Sequence, residues 1–287
     1  MNLKTNQLSL HNVFIMKIKI LSSLFLLSLF LSCDKNNDEF VPSDNQVILL
    51  ISKEYYSDEL VHEYTYTENN LLSESKDKWS YIVYSYNKQH QLLSYDMYYD
   101  MGMASSDWET AQQSMNRTEW VTPENTEING RANYYYEKNR LSKIEVTRLP
   151  GGTKSSTTYE YGDNGRISKR IYFHENQPSG FTEFHYDENG NLVTEINKDI
   201  IDGAAVMMVK TEYEFEDMNN PYLAFQRLLR PGENTNKNNI TKRVQTLYFD
   251  APMAQKIQET TNTYEYNSEG YPIKKNGSYT FEYLLPR

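Results

Sequence analysis

The groups in this chain able to do chemistry are few and scattered. His62, His90, His174 and His185 recur at no spacing that closes a metal site, and no His-Glu-x-x-His occurs. His185 alternates with Tyr186 and is expected on a solvent face. There is no Gly-x-Ser-x-Gly, no Gly-x-Gly-x-x-Gly and no phosphate-binding loop, so those nucleophile and nucleotide chemistries have no foothold. Ser73-x-x-Lys76 and Ser43-Asp44-Asn45 mimic two motifs of penicillin-recognising enzymes, but in the wrong order and without Lys-Thr-Gly. Asp163-Asn164-Gly165 and Asp187 to Asn191 offer oxygen ligands of a kind calcium accepts. They lack the length and terminal glutamate of an EF-hand loop, and turn chemistry accounts for each residue. No metal, cofactor or catalytic residue is assigned, because the carboxylates are too numerous to single out an acid/base pair. Trp79, Trp108 and Trp120 are all the tryptophans and fall within 42 residues. They read either as a stacking platform for a sugar or peptide, or as core beneath an insertion.

The elements that must position these groups are hairpins. Phe184-x-Tyr186 puts two rings on one strand face, Asp187-Glu188-Asn189-Gly190 makes a turn, and Leu192 leads the return. Gly190 supplies the left-handed position that closes such a loop. Counting back from the turn, Asp187 faces Asn191, Tyr186 faces Leu192 and Phe184 faces Thr194. Tyr159, Tyr161, Gly165 and Ile167 repeat the pattern. Tyr64 and Tyr66 with Leu71, and Tyr134 and Tyr136 with Leu141, return one residue sooner. Two-residue loops at Glu68-Asn69 and Lys138-Asn139 would then preserve the same ring–aliphatic pair. Tyr84, Tyr86 and Leu92 form another copy, and Tyr264, Tyr266 and Gly270 lead into Pro272, a residue tolerated only at an edge or bulge.

The motif starts at Tyr64, Tyr84, Tyr134, Tyr159, Phe184, Tyr213 and Tyr264, a repeat of roughly 25 residues with two double-length gaps. Each gap implies an insertion or a decayed copy, near 100–125 and 219–245. In the first, Ser105-Ser106-Asp107 could cap a short helix, while Arg117 to Val121 also permits a strand. In the second, Asn219-Asn220-Pro221-Tyr222 and Gly232 to Asn239 read as an exposed loop. Ser278 to Leu284 closes the chain on a strand. The fold class is all-β: a repetitive antiparallel hairpin meander forming a large twisted or curled sheet, open or barrel-like.

Of 287 residues, 38% are hydrophobic and 25 are tyrosine, a composition suited to half-buried sheet faces. Met16-Lys17-Ile18-Lys19 precedes an apolar run from Ile20 to Leu31, too short for the ~20 residues that span a bilayer. Residues 1–32 therefore read as a secretory signal, with Met16 an alternative start. Phe30-Leu31-Ser32-Cys33 resembles the lipobox of bacterial lipoproteins, which implies acylation of Cys33, the only cysteine, and a membrane attachment. Residues 33–46 form a polar tether, and 47–287 the β domain. Removing Lys4, Lys17 and Lys19 leaves 26 basic and 39 acidic side chains, a net charge of −13 that gives nucleic acid no attraction.

Tyr161-Gly-Asp-Asn-Gly-Arg-Ile167 and Tyr186-Asp-Glu-Asn-Gly-Asn-Leu192 resemble YD repeats of the RHS type. With the lipobox, Asn220-Pro221-Tyr222 and Gly270-Tyr-Pro272, the chain is similar to uncharacterised YD-repeat-like lipoproteins of Bacteroidota. The resemblance implies a fold and an address in the cell envelope at the outer membrane, facing the periplasm or the outside. It implies no activity. The resulting expectation is a non-catalytic, lipid-anchored protein whose sheet is a binding or scaffolding surface for a glycan or protein. The alternatives are a glycan hydrolase using carboxylates near the Trp-rich insertion, or a structural spacer.

Overall fold

A computed structural model describes residues 48–105, 107–228, 236–248 and 255–287, all within the unit Pro42–Arg287. The signal, Cys33 and most of the tether lie outside the described residues. The first strands are β1 (Leu50–Tyr56), β2 (Glu59–Tyr66), β3 (Leu72–Asp77), β4 (Ser80–Tyr86) and β5 (Leu92–Tyr99). An insertion carrying a 3₁₀ turn (Met101–Ala104) and helix α1 (Trp108–Met115) precedes β6 (Gly130–Glu137). Then come β7 (Arg140–Arg148), β8 (Lys154–Tyr161), β9 (Ile167–His174), β10 (Gln177–Tyr186) and β11 (Leu192–Ile201). The long strand β12 (Ala204–Asn219) leads to a second 3₁₀ segment (Leu223–Leu228). Last are β13 (Asn238–Tyr248), β14 (Gln255–Thr261), β15 (Tyr264–Tyr266), β16 (Pro272–Lys275) and β17 (Tyr279–Leu284).

Every strand from β1 to β14 pairs antiparallel with the next, and β15 to β17 do likewise. β17 then returns to pair with β1, Leu50 opposite Leu284, so the first and last strands lie side by side inside the sheet. β14 and β15 follow one another across Asn262 and Thr263 without a ladder between them. The sheet stays open there.

One unit recurs eight times among the described residues. Its inner ring–aliphatic pairs are Tyr66/Leu72, Tyr86/Leu92, Tyr136/Leu141, Tyr161/Ile167, Tyr186/Leu192, Phe215/Ile240, Tyr266/Pro272 and Tyr283/Ile51. Each pair is followed by a β-bulge, in which one extra residue shifts the register. The bulge corrects one expectation: Phe184 lies opposite Glu195, not Thr194. The eighth unit is assembled from the first and last strands.

Leu71 is a second correction. Tyr66 faces Leu72, because the loop after Tyr66 is the same turn used elsewhere and not a two-residue one. In turns starting at Thr67, Asn87, Gly162, Asp187 and Asn267, the first amide donates to the fifth carbonyl and the fourth amide to the first carbonyl. The fourth residue is left-handed in each: Asn70, His90, Gly165, Gly190 and Gly270. Asn and His stand in for glycine in two copies, which hid the shared turn. The Tyr136 unit alone of the anticipated pairs uses a two-residue loop, with Lys138 and Asn139 at φ 50° and 64°.

The core is what these pairs bury. Ile51, Leu72, Leu92, Tyr95, Tyr134, Leu141, Phe225 and Phe281 belong to its largest cluster, and Ile167, Phe184 and Leu192 make a second. Tyrosine hydroxyls tie one unit to the next. Those of Tyr66, Tyr86, Tyr136, Tyr161, Tyr186 and Tyr283 donate to the carbonyls of Ile51, Leu72, Leu92, Leu141, Ile167 and Pro272, at 2.6–2.9 Å. The series breaks at Phe215, which has no hydroxyl, and at Tyr266, which bonds Glu216 and Asn239 instead.

Neither gap in the repeat holds a further ring–aliphatic pair among the described residues. The first makes α1, with Asp107 accepting from the Thr110 amide at 2.9 Å as an N-cap, and Arg117 to Val121 form no strand. The described residues of the second are not an exposed loop. Asn220, Leu223, Phe225, Asn236, Asn238 and Asn239 are buried. Asparagine side chains replace ladder bonds here: Asn191 and Asn238 exchange two hydrogen bonds, and Asn236 accepts from the Leu192 amide at 2.7 Å.

Candidate functional site

The residue three places after each inner aliphatic also points inward, opposite the first aromatic of its unit. Around the sheet these positions are Glu54, Ser75, Tyr95, Ile144, Arg170, Glu195, Arg243 and Lys275. On β5 and β7, Tyr95 and Ile144 belong to the apolar core, and Ser75 on β3 meets the Tyr84 hydroxyl at 3.1 Å. Elsewhere the same position carries charge, and there the inner face becomes polar.

Glu54 is buried, 5% exposed, and its carboxylate accepts from the hydroxyls of Tyr64 at 2.6 Å and Tyr222 at 3.0 Å. Tyr222 comes from the second insertion, whose Phe225 packs edge-on against Tyr64 at 5.0 Å. The segment therefore plugs the curl of the sheet against β1 and β2. Burial, and then the adjacent Glu54 carboxylate, raise the Tyr64 hydroxyl well above its ordinary value. His62 sits between two carboxylates, Nδ1 3.8 Å from Glu54 and Nε2 3.8 Å from Asp77, and its Nδ1 is buried without a hydrogen bond.

Across β9 to β13 lies a second polar group. Glu195 accepts from the Tyr213 hydroxyl at 3.2 Å and has Arg170 and Arg243 within electrostatic reach. Burial lifts its carboxyl above the usual range, against the pull of the Tyr213 hydroxyl and the two guanidinium groups. Arg170 lies over the rings of Tyr172 and Phe184 and donates to the Tyr172 hydroxyl at 2.8 Å. That hydroxyl is 2.9 Å from Thr182, which also accepts from Asn197.

The tryptophans belong to neither group. Trp108 is 68% and Trp79 40% exposed, while Trp120 is half-buried, and none joins a core cluster. Trp79 and Trp108 form no buried core beneath the insertion, which lies against the β3–β4 turn; their rings are exposed. Trp79 donates to the Ser114 carbonyl at the end of α1 at 3.4 Å, and its own carbonyl accepts from Asp100. Tyr99, Met101 and Met115 are exposed beside them. Trp79 also adjoins His62 through Asp77, whose carboxylate caps the Trp79 and Ser80 amides at 2.7 and 2.8 Å.

Of the other candidates, His185 is exposed as expected and His90 serves the turn. No cluster of three or more metal-ligating side chains occurs among the described residues. Asp187 accepts from the Asn191 amide at 2.7 Å, the turn role expected of it. Glu54, Arg170, Glu195 and Arg243 were not singled out in the sequence. The signal that finds them is the charge three places after each inner aliphatic, legible only once the bulge is known.

No family model matches the chain. No curated protein matches it either. Among solved structures it is similar to a porin-like protein from Bacteroides uniformis, at 10% identity and a TM-score of 0.39, over 82% of this chain and 96% of that one. A porin-like protein from Bacteroides vulgatus is similar at 8% identity and a TM-score of 0.36, over 82% and 99%. A protein with unknown function from Bacteroides fragilis is similar at 8% identity and a TM-score of 0.23, over 63% and 91%.

Proposed function

We propose that this protein is a non-catalytic, lipid-anchored component of the cell envelope whose repeat sheet presents a binding surface to a glycan or protein. The leader and Cys33 support the anchor, and the eight bulged units support kinship with YD-repeat proteins. One observation carries the binding reading: the insertion holds Trp79 and Trp108 exposed at one rim, flanked by Tyr99, Met101 and Met115. A cluster of exposed large apolar side chains marks an interaction site.

The test is a glycan array and an envelope pull-down with the mature chain, repeated with Trp79→Ala/Trp108→Ala. A partner whose binding falls about tenfold in the variant, ~1.4 kcal/mol, supports the reading. A partner retained at full strength by the variant sinks it. Palmitate labelling lost in Cys33→Ala is the expected result for the anchor, and retained label refutes it.

A hydrolytic reading has one observation in its favour, the Glu54 and Asp77 carboxylates either side of His62 beside Trp79. Against it, Glu54 is enclosed and engaged by two tyrosine hydroxyls. Glycan hydrolysis abolished by Asp77→Asn would favour it over simple binding.

A further inference from the structure

We propose that Tyr56 and Tyr279 form a site of oxidative cross-linking, where a peroxide-driven oxidant joins the two rings as dityrosine and fastens β1 to β17 by a covalent bond. The site is independent of the tryptophan rim and of any ligand bound there.

The first argument is geometry. Tyr56 and Tyr279 lie directly opposite one another in the β1–β17 ladder, with ring centroids 4.8 Å apart and planes tilted by 51°. The other tyrosine pairs in ring contact among the described residues stand 5.5–6.2 Å apart. Tight turns hold the matched pair in place. Ser57 and Asp58 follow Tyr56 at φ 50° and 66°, and Asn276 and Gly277 come just before Tyr279 at 53° and 70°. The Ser57 amide donates to the Ser278 carbonyl at 2.9 Å, so the backbone beside both rings is tied across the strands.

The second argument is access. Tyr56 is 48% and Tyr279 37% exposed, and neither hydroxyl makes a hydrogen bond among the described residues. The phenols that join one unit to the next, such as Tyr66, Tyr86 and Tyr186, are half-buried and already donate to carbonyls. Tyr95 and Tyr134 touch each other inside the core, closed to solvent. The pair most open to an oxidant is therefore also the most closely matched.

The chemistry balances with hydrogen peroxide and a haem peroxidase as the oxidising system. Each phenol gives up one electron and its hydroxyl proton, leaving a radical shared between the oxygen and the ortho ring carbon. The two ortho carbons form a C–C bond, and the hydrogen on each moves to its own phenolic oxygen, restoring two hydroxyls. The peroxide O–O bond breaks and, with the two electrons and two protons removed, yields two waters. The new bond closes a loop that holds β2 to β16, and a cross-link over a long loop restricts the unfolded chain.

The experiment treats the mature chain, dilute and carrying Cys33→Ala so that no thiol competes, with haem peroxidase and hydrogen peroxide. The expected product is a monomer two hydrogen atoms lighter, with dityrosine fluorescence, whose protease map shows the Tyr56 and Tyr279 peptides linked. Its urea midpoint should exceed that of peroxidase-treated Tyr56→Phe. Tyr56→Phe and Tyr279→Phe each keep the ring, should match wild type in near-UV circular dichroism before treatment, and should form no such link. Wild type treated while unfolded in urea should scatter its links over many tyrosines, which shows that the fold selects the pair. Absence of the linked peptides in folded wild type, links confined to other tyrosines or to dimers, or equal intramolecular dityrosine in either Phe variant would overturn the proposal. An unchanged urea midpoint in the linked monomer would overturn the claim that the bond fastens β1 to β17.

Discussion

At the scale of single residues, the tyrosine hydroxyl is the unit of cohesion. Tyr186 packs against Leu192 in its own hairpin and bonds Ile167 in the previous one, so one side chain serves two neighbours. Tyr186→Phe keeps the ring and removes the bond, and should cost about 1 kcal/mol in urea unfolding. Leu192→Ala, at a fully buried position, should cost about 2–5 kcal/mol in the same measurement. Glu195 makes the opposite case. Its carboxyl is raised by burial, so its charge opposes folding at neutral pH and is harmless below the unfolded carboxylate pKa. Glu195→Gln should therefore raise the thermal midpoint at pH 7 and leave it unchanged at about pH 3, below the ordinary glutamate range. The difference between Leu71 and Leu72 was decided at this scale too. Asn70 adopts a glycine-like backbone that its identity does not announce.

Among the elements, the repeat owes its regularity to the bulge. One extra residue on each returning strand turns two inner positions, three apart, toward the same core. The turn residues and aromatic alternation were legible because they act within a dozen residues. The bulge was not, since an inserted residue looks like any other in a strand. Tyrosines buried by this geometry also set a limit in alkali. Burial pushes Tyr161 up to about 12, whereas unfolded tyrosine ionises near its ordinary value of 10.0. The folded state thus keeps its proton longer, and the stabilisation it gives is complete below about pH 10 and lost as pH rises toward 12. Circular dichroism across that range should show unfolding accompanied by tyrosinate absorbance. Full tyrosinate absorbance reached before any unfolding would refute the link.

For the whole molecule, the decisive contact is between the first and last strands. β17 fills the place beside β1 that a next hairpin would otherwise occupy, and Tyr283 continues the hydroxyl series there. Joining the ends and opening the chain at Gly151-Gly152, an exposed turn, should preserve the fold and its urea midpoint. Ending the chain at Asn276 should instead expose β1, Ile51 included, and abolish cooperative unfolding. A truncated chain as stable as the permutant would show that the end-to-end pairing is incidental.

Turn chemistry and ring–aliphatic pairing depend on neighbours in the chain, and on those the amino acids alone determined a hairpin repeat and an all-β class. Tertiary structure decided three matters that join distant segments. Ser52 and the carbonyl it binds, on Glu282, are 230 positions apart. The Tyr222 plug reaches Glu54 from 168 positions away. Arg170 and Arg243 share an inner face only because intervening strands carry one to the other. Such contacts depend on how the sheet curls, and curvature is a sum over all its bulges that no single segment encodes.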